Sequence, residues 1–522
     1  MILLALRVGS SQARRLLPRL LAWLFIATAV FTLQIDSGAY SADLSAHPDE
    51  PAHMVSALLV HDYLAAGAPR SAFEYAKCYY LHYPKVAIGH WPPIFHALAG
   101  LWMFVAGRRV AAVLILLALA AIALSIGIFE LGRHGCGAIA ALLIALAFAT
   151  ARTVQFATST ILPDLVLGGF VFAAAAFWGS YIDTGKRFYL AAFAVLAVLA
   201  IGTHGRGVVV LLVPVIAAWT ARPLRFTPAR VLTTALVVTV VLGLPIAAKQ
   251  SLPISPASVV VNFLQFPYRL GVSFLWIVPA LGLCGLVACF RDHRPSRWTA
   301  MAALVAANWI FFSVVNTPFD QRYLLTVAPA MAVLAARGWS LIASLNRYAS
   351  PALPLALCVV IGANLIPPYR QPDAGYASVI ANLPRVDRLT LVDGNAASEG
   401  SAVASMLLHD RPFEHVVVRA TKALASATWA GNDYRLLCTT PEEVRKVLDR
   451  EGIDTVISQD PPWFPHSVLL RRALAETPLW REVPNRHGGI RVFQRITPSK
   501  SAGFHLRIDN PGGFRAVFEC NE

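Results

Sequence analysis

Residues His47-Pro48-Asp49-Glu50-Pro51-Ala52-His53 put two adjacent carboxylates just beyond the first apolar segment of the chain. Charge beside a bilayer is costly unless it has a role. The chemistry open to it is that of a general base, taking a proton from an attacking hydroxyl. Asp49 is also placed to cap a helix over residues 51–66, with Pro51 in its first turn. The two readings are compatible, because a cap also holds a carboxylate in place. His53 follows Asp49 by four residues, so both can face one side of a helical turn. A divalent metal held by Asp49 or Glu50 with His53 is one option, and hydrogen bonding at the interface is the other. The segment is rich in histidine: six of the fourteen, His47, His53, His61, His82, His90 and His96, fall within it.

Three further sites carry charge where apolar residues dominate. Asp164, in Ile161-Leu162-Pro163-Asp164, is an acidic residue near the end of an apolar stretch, and serves either as a functional carboxylate or as another helix cap. Arg206 lies in Thr203-His204-Gly205-Arg206-Gly207, where flanking glycines let backbone approach a ligand or simply make a tight turn. Asp320-Gln321-Arg322-Tyr323-Leu324-Leu325 sets a charged pair at the start of a later apolar run, as part of a site or as an interfacial anchor.

The elements that must position these residues follow from composition. The chain has 522 residues, 57% hydrophobic and 14% charged, with a formal net charge of +15. Its mean hydropathy is +0.59. A soluble chain carries roughly 25% charged residues, so the expectation is a polytopic membrane protein. The basic residues fall singly or in threes between apolar spans, a topological pattern that argues against nucleic-acid binding. A spanning helix needs about 20 mostly apolar residues. Eleven segments qualify: 17–34, 110–131, 136–151, 161–182, 188–203, 206–220, 231–248, 271–290, 298–315, 322–342 and 351–367. The apolar stretch 94–106 is shorter and reads as a re-entrant or interfacial helix. Denser Lys and Arg on alternate loops, notably 222–230 and 291–297, put the N-terminus in the cytoplasm and the C-terminus outside. Five basic residues then face outward against that bias: Arg152, Arg206, Lys249, Arg269 and Arg322. Each can snorkel to headgroups; as a group they can line a cavity for an anionic headgroup, which arginine grips bidentately.

Residues 1–369 thus form a transmembrane domain whose external loop, 35–109, carries the acidic motif, and 370–522 form an external α/β domain. In the latter, 388–392, 454–458 and 489–495 read as strands, and Thr440-Pro441-Glu442-Glu443 opens a helix through Arg450. The seven cysteines show no metal spacing; Cys438 and Cys520 share this domain and could pair.

In order along the chain, Asp49-Glu50, Pro92-Pro93, Pro163-Asp164, Arg206 and Arg322-Tyr323-Leu324-Leu325 resemble the motifs of the polytopic GT-C glycosyltransferases, closest to protein O-mannosyltransferases and the aminoarabinose transferases of lipid A. The likeness covers roughly residues 15–340, and departs at Arg206, where that family usually has lysine. It implies a mainly α, polytopic helical bundle of GT-C type with an external α/β domain. It also implies transfer of a sugar from a polyprenyl-phosphate carrier to a lipid, glycan or protein acceptor outside the membrane. Asp49 would be the base, with Glu50 and Asp164 orienting the loop, the acceptor or a metal. Arg206 and Arg322, with Lys249 and Arg269, would hold the donor phosphate. A transporter or flippase of lipid-linked sugars, or a non-catalytic membrane assembly protein, would also explain the spans. Neither explains a long acidic external loop beside a folded external domain, and the internal repeats common in transporters are not visible.

Overall fold

The computed structural model describes residues 10–69, 71–87, 89–220, 256–291, 297–315, 320–345, 349–383, 389–426, 434–497, 508–509 and 515–516. Apolar helices dominate these residues, as they must in a lipid-spanning chain, where every backbone polar group has to be satisfied within its own segment. Five helices are long and apolar enough to cross a membrane: Leu16–Asp36 (part of Ser10–Asp36), Val110–Cys136, Asp164–Thr184, Arg297–Val314 and Ala328–Leu345. The pair Ala138–Ala149 and Arg152–Ser159, bent by 57°, makes a sixth if it is one broken span. Arg187–Thr203, Gly205–Ala218, Ile277–Cys289 and Pro351–Leu365 are apolar but shorter. Ten of the eleven expected spans therefore coincide with helices or helix pairs, six at most of full spanning length; span 231–248 lies outside the described residues. The chain is a multi-pass membrane protein.

Two expected spans do not begin as α-helix. Gly205–Leu211 and Gln321–Thr326 are 3₁₀ turns that run into Leu212–Thr220 and, after Val327, Ala328–Leu345. Each is opened by a side-chain acceptor two residues before its arginine amide's next turn: His204 Nδ1 accepts from Arg206 N at 3.2 Å, and Asp320 Oδ1 from Arg322 N at 3.1 Å. These local bonds compete with the α-helical ladder and leave both arginines on tight, fixed turns.

Helices interlock where glycine removes the side chain. A β-carbon on Gly285 would lie 1.9 Å from the Leu334 carbonyl oxygen, and one on Gly338 1.9 Å from that of Leu281. Helices Ile277–Arg291 and Ala328–Leu345 thus meet backbone to backbone, the small-residue packing that replaces hydrophobic drive in lipid. Gln34 Nε2 joins helix Ser10–Asp36 to the Leu114 and Thr158 carbonyls at 2.9 and 2.5 Å.

Between the first two long helices the chain folds into helices Glu50–Ala65, Ala72–His82 and Ile94–Ala106. The first matches the expected 51–66; the second was not foreseen. Residues 389–495 hold a five-stranded mixed sheet. Strand Leu389–Asp393 runs parallel to Val416–Arg419 on one side and Thr455–Gln459 on the other; Ile490–Arg495 and then Trp480–Val483 continue antiparallel. Helix Pro441–Arg450 starts as expected, with Thr440 Oγ1 accepting from Glu443 N at 3.3 Å. Cys438 is a buried free thiol, so the Cys438–Cys520 pairing is not made, and Cys78 is disulfide-bonded instead.

Gly338→Val tests the helix interlock. Overpacking costs about 1–3 kcal/mol, so the variant should melt earlier in detergent and express less; wild-type melting and yield would show that these two helices are not locked as described.

Candidate active site

Asp49, Asp164, Arg206 and Arg322 come from four separate elements and meet in one chain of charges. Asp164 is the first residue of helix Asp164–Thr184 and is almost fully buried. Its carboxylate makes no cap; Pro163 holds the cap position. Instead Oδ1 accepts from Arg206 Nη2 at 2.7 Å and Oδ2 lies 3.7 Å from Arg322 Nη1. Arg322 extends the chain outward: Nη2 donates to Asp49 Oδ2 at 3.3 Å, and Nε lies 2.8 Å from Asp320 Oδ2, in ion-pair contact but outside hydrogen-bond geometry. Tyr323 packs between the two cations, its ring centre 3.8 Å from Arg206 Cζ and 5.4 Å from Arg322 Cζ. A ring face under a cation is favourable, so the tyrosine holds two like charges side by side.

Asp49 precedes helix Glu50–Ala65 but its side chain makes no cap bond. The expected capping role is not taken up, because the carboxylate turns to Arg322, a charge-assisted partner that outcompetes neutral amides. Its side chain keeps 27% exposure, against 2% for Asp164. His47 stands beside it: Nδ1 accepts from Asp49 N at 3.1 Å and lies 3.7 Å from Asp49 Oδ2, while Nε2 lies 3.9 Å from Asp320 Oδ2. Burial, then the Arg322 charge, pull the His47 imidazole below its ordinary range, against the pull of Asp49.

Glu50, one residue on, points the other way. It is buried, and its carboxyl accepts from Ala46 N at 3.2 Å, Ile161 N at 3.0 Å and Gln371 Nε2 at 3.4 Å. It ties the acidic loop to the segment just before Asp164. Burial pushes its carboxyl up to about 8, more than the two amide donors pull it down.

Of the other expected site residues, Arg269 sits half-buried on helix Pro256–Ser273, which packs against the turn Gln321–Thr326 that carries Arg322, and Lys249 is outside the described residues. His53 is buried and shares a hydrogen bond with His96 (3.0 Å, Nδ1 to Nε2) while stacking on Trp91 at 4.1 Å. One nitrogen of the His53 ring is thus shared with His96 in a buried aromatic environment, and it is the other that a metal shared with Asp49 or Glu50 would have to meet. Among the described residues one group has three potential metal ligands close together, Asp410, Glu414 and His415, in the sheet domain and not at Asp49. His47, His204, Asp320, Tyr323 and Gln371 are site or support residues that carry no separate role in the expectations above. His204 and Tyr323 adjoin the two arginines in sequence, which is the signal that could have found them; Gln371 has none.

Buried Arg206 Nη1 and Asp164 Oδ2 have no hydrogen-bond partner among the described residues. A buried guanidinium edge left open is costly and fits an anionic oxygen. The site can thus hold an anion at Arg206 beside a half-exposed carboxylate at Asp49.

No protein-family model matches the chain, and no curated protein sequence does. Solved structures do. ArnT from Cupriavidus metallidurans in the apo state superposes with a TM-score of 0.55 at 15% identity, over 90% of this chain and 97% of that one. The same protein bound to undecaprenyl phosphate gives 0.53 at 14% identity over the same shares. An oligosaccharyltransferase from Archaeoglobus fulgidus in complex with Zn and sulfate gives 0.52 at 10% identity, over 84% of this chain and 68% of that one. At such identities the likeness establishes the fold: this is a GT-C architecture, with the helical bundle and the small C-terminal sheet domain together.

Asp164→Asn should destabilise more than Asp49→Asn. Removing one partner of a buried pair costs about 3–5 kcal/mol, whereas Asp49 is partly solvated. Melting curves of the two variants in detergent decide; equal losses would mean that Asp164 does not hold the two arginines.

Proposed function

We propose that this chain is an inverting membrane glycosyltransferase that moves a sugar from a polyprenyl-phosphate carrier to a hydroxyl or amine acceptor on the external face. The observation that carries the reading is the pair of buried arginines on Asp164, one with an open Nη1, within one ion pair of a reachable carboxylate. The leaving group is a lipid phosphate whose negative charge grows as the glycosidic C–O bond breaks. Fixed cations in a water-poor site stabilise such charge strongly. Arg206 and Arg322 supply them, with Arg206 Nη1 free to meet a phosphate oxygen. Asp49 takes the acceptor's proton as the acceptor atom bonds to the anomeric carbon from the opposite face. One displacement inverts that centre. Glu50 and Asp164 hold the geometry, Glu50 by anchoring the loop and Asp164 by fixing both arginines. Lys249 and Arg269 remain as secondary phosphate ligands in this reading. That the structural relative ArnT binds undecaprenyl phosphate supports a polyprenyl-phosphate donor here.

In the same reading residues 1–369 form the membrane domain and 370–522 an external domain, in a cell membrane with a cytoplasmic N-terminus. An introduced Ser426→Cys thiol should then react with an impermeant reagent from outside, and Ser296→Cys should not. Labelling of Ser296→Cys alone would invert the orientation and move the site to the cytoplasm.

Membranes incubated with a panel of radiolabelled polyprenyl-phosphate sugars should move one label to acceptor; no transfer from any donor would overturn the activity. A general base contributes about 10²–10⁴-fold, so Asp49→Asn should bind donor normally and turn over at least roughly a hundredfold more slowly. Arg206→Ala should weaken donor binding far more than Arg133→Ala, whose arginine pairs with Glu130 at the other end of helix Val110–Cys136. Normal turnover by Asp49→Asn beside a dead Asp164→Asn would transfer the base role to Asp164.

A further inference from the structure

Helix Ala396–His409 of the sheet domain packs against helix Glu50–Ala65, the helix that Asp49 leads into. The contact nearest Asp49 is Gly400 on Pro51. A β-carbon on Gly400 would lie 2.5 Å from Pro51 Cγ and 2.8 Å from Lys85 Cε, closer than carbon atoms approach. The same helix is seated on its membrane side by Gly100, where a β-carbon would lie 2.8 Å from the Ala57 carbonyl oxygen. The element beside Asp49 is therefore gripped from two sides, each at a position only glycine fits.

Polar ties hold the sheet domain in that grip. Lys85 is buried and its Nζ donates to the Ala396 carbonyl at 3.1 Å. Tyr83 Oη donates to the Arg411 carbonyl at 3.3 Å. Arg108 forks onto Asp62 of helix Glu50–Ala65 at 2.9 and 3.0 Å and also donates to the Leu407 carbonyl at 3.0 Å. Asp62 is fixed further by Tyr79 Oη at 2.8 Å. Arg419, held on buried Glu399 at 2.8 Å, donates to the Pro84 carbonyl at 3.5 Å. Two domains joined only by a linker would not commit buried charges to each other's backbone; such groups are costly unless paired.

We infer that the C-terminal sheet domain is a working part of the transfer site: Gly400, bearing on Pro51, is a positioning residue that sets where Asp49 stands relative to Arg322. This rests on the reading of Asp49 as the base. Pro51 is two residues from Asp49 and rigid in φ, so displacement of its ring moves the carboxylate with it. A misplacement of about 1 Å can cost about 10²-fold in rate, and the Asp49–Arg322 contact is already at 3.3 Å.

The test adds and removes the bump in the full-length protein. Gly400→Ala should lower kcat by about tenfold to a hundredfold while donor affinity stays at the wild-type value. Pro51→Ala removes the Cγ atom that the new methyl meets, so the double variant Gly400→Ala with Pro51→Ala should recover the turnover of Pro51→Ala alone. Wild-type turnover by Gly400→Ala overturns the inference. So does a loss that persists in the double variant, because that marks a general folding defect. If Gly400→Ala does not fold, Lys85→Met loosens the same contact without adding bulk at the glycine. Lower kcat at unchanged donor affinity is then required, and wild-type turnover overturns the inference. Hydrogen exchange over residues 46–56 reads position without any sugar transfer: it should quicken in Gly400→Ala and return in the double variant. That pattern in a protein that transfers no sugar would sink the reading of Asp49 as a base and leave the positioning contact standing.

Discussion

The alternation Arg206, Asp164, Arg322, Asp49 is the interaction on which the rest of the structure depends. Isolated charges at this depth would be prohibitively costly. Sharing one buried carboxylate between two guanidinium groups, with Tyr323 packed against both, makes the arrangement tenable. It also dictates architecture. The four residues belong to the segment between the first two long helices, the helix from Asp164 and the two 3₁₀ turns from Gly205 and Gln321, so all four elements must end at one point. The glycine interlocks and the broken helix at Thr150 are how an otherwise apolar bundle brings those ends together. A buried pair of this kind adds little net stability; what it adds is a fixed relation between cations and a carboxylate, which is what a transfer reaction needs.

Asp49 and Glu50 divide the work between adjacent positions. Helix geometry turns successive side chains about 100° apart, and here one faces the arginines while the other faces the protein. Glu50 spends its oxygens on the amides of Ala46 and Ile161 and on Gln371. With its carboxyl pushed up to about 8 by burial, it is a tether whose hold depends on its surroundings. Asp49 stays partly solvated and touches a cation, the state of a carboxylate that can accept a proton from an incoming group. Exchanging their environments would bury the reachable carboxylate and expose the tether.

Much of the fold was legible because lipid imposes it. Apolar runs located ten helices or helix pairs, and alternation located the strands around Leu391, Val456 and Val492. Strand Val416–Arg419 escaped because three valines followed by an arginine carry no period, and Trp480–Val483 because an edge strand with two exposed charges looks like a loop. At the site, the types Asp49, Asp164, Arg206 and Arg322 were legible, and their order along the chain pointed to one fold. Their convergence was not. A cap and an ion pair draw on the same carboxylate oxygens, so spacing alone cannot say that Asp49 and Asp164 both abandon capping. Nor does spacing say how Arg269 and Arg322 differ in setting: both read as outward cations at the end of an apolar run. Nor did spacing show that His96, forty-three positions away, shares a hydrogen bond with the His53 ring.

The helical bundle and the sheet domain meet at the acidic loop, and in the proposed reading this bears on how such an enzyme could evolve acceptor range. In the proposed reading the bundle supplies what every polyprenyl-phosphate donor would share, the arginine pair on Asp164, carried on the turns at Gly205–Leu211 and Gln321–Thr326. The sheet domain bears on helix Glu50–Ala65 through Gly400 at Pro51, and on the segments after it through Ala396 at Lys85 and Leu407 at Arg108. Substitutions on its remaining surface leave that pair untouched while altering what can reach Asp49 from outside. Substitutions in the contact itself would act on Asp49, the proposed base. In the proposed reading, donor and acceptor would then meet separate surfaces that share one helix, so the acceptor could change without disturbing the buried ion pairs at Asp164.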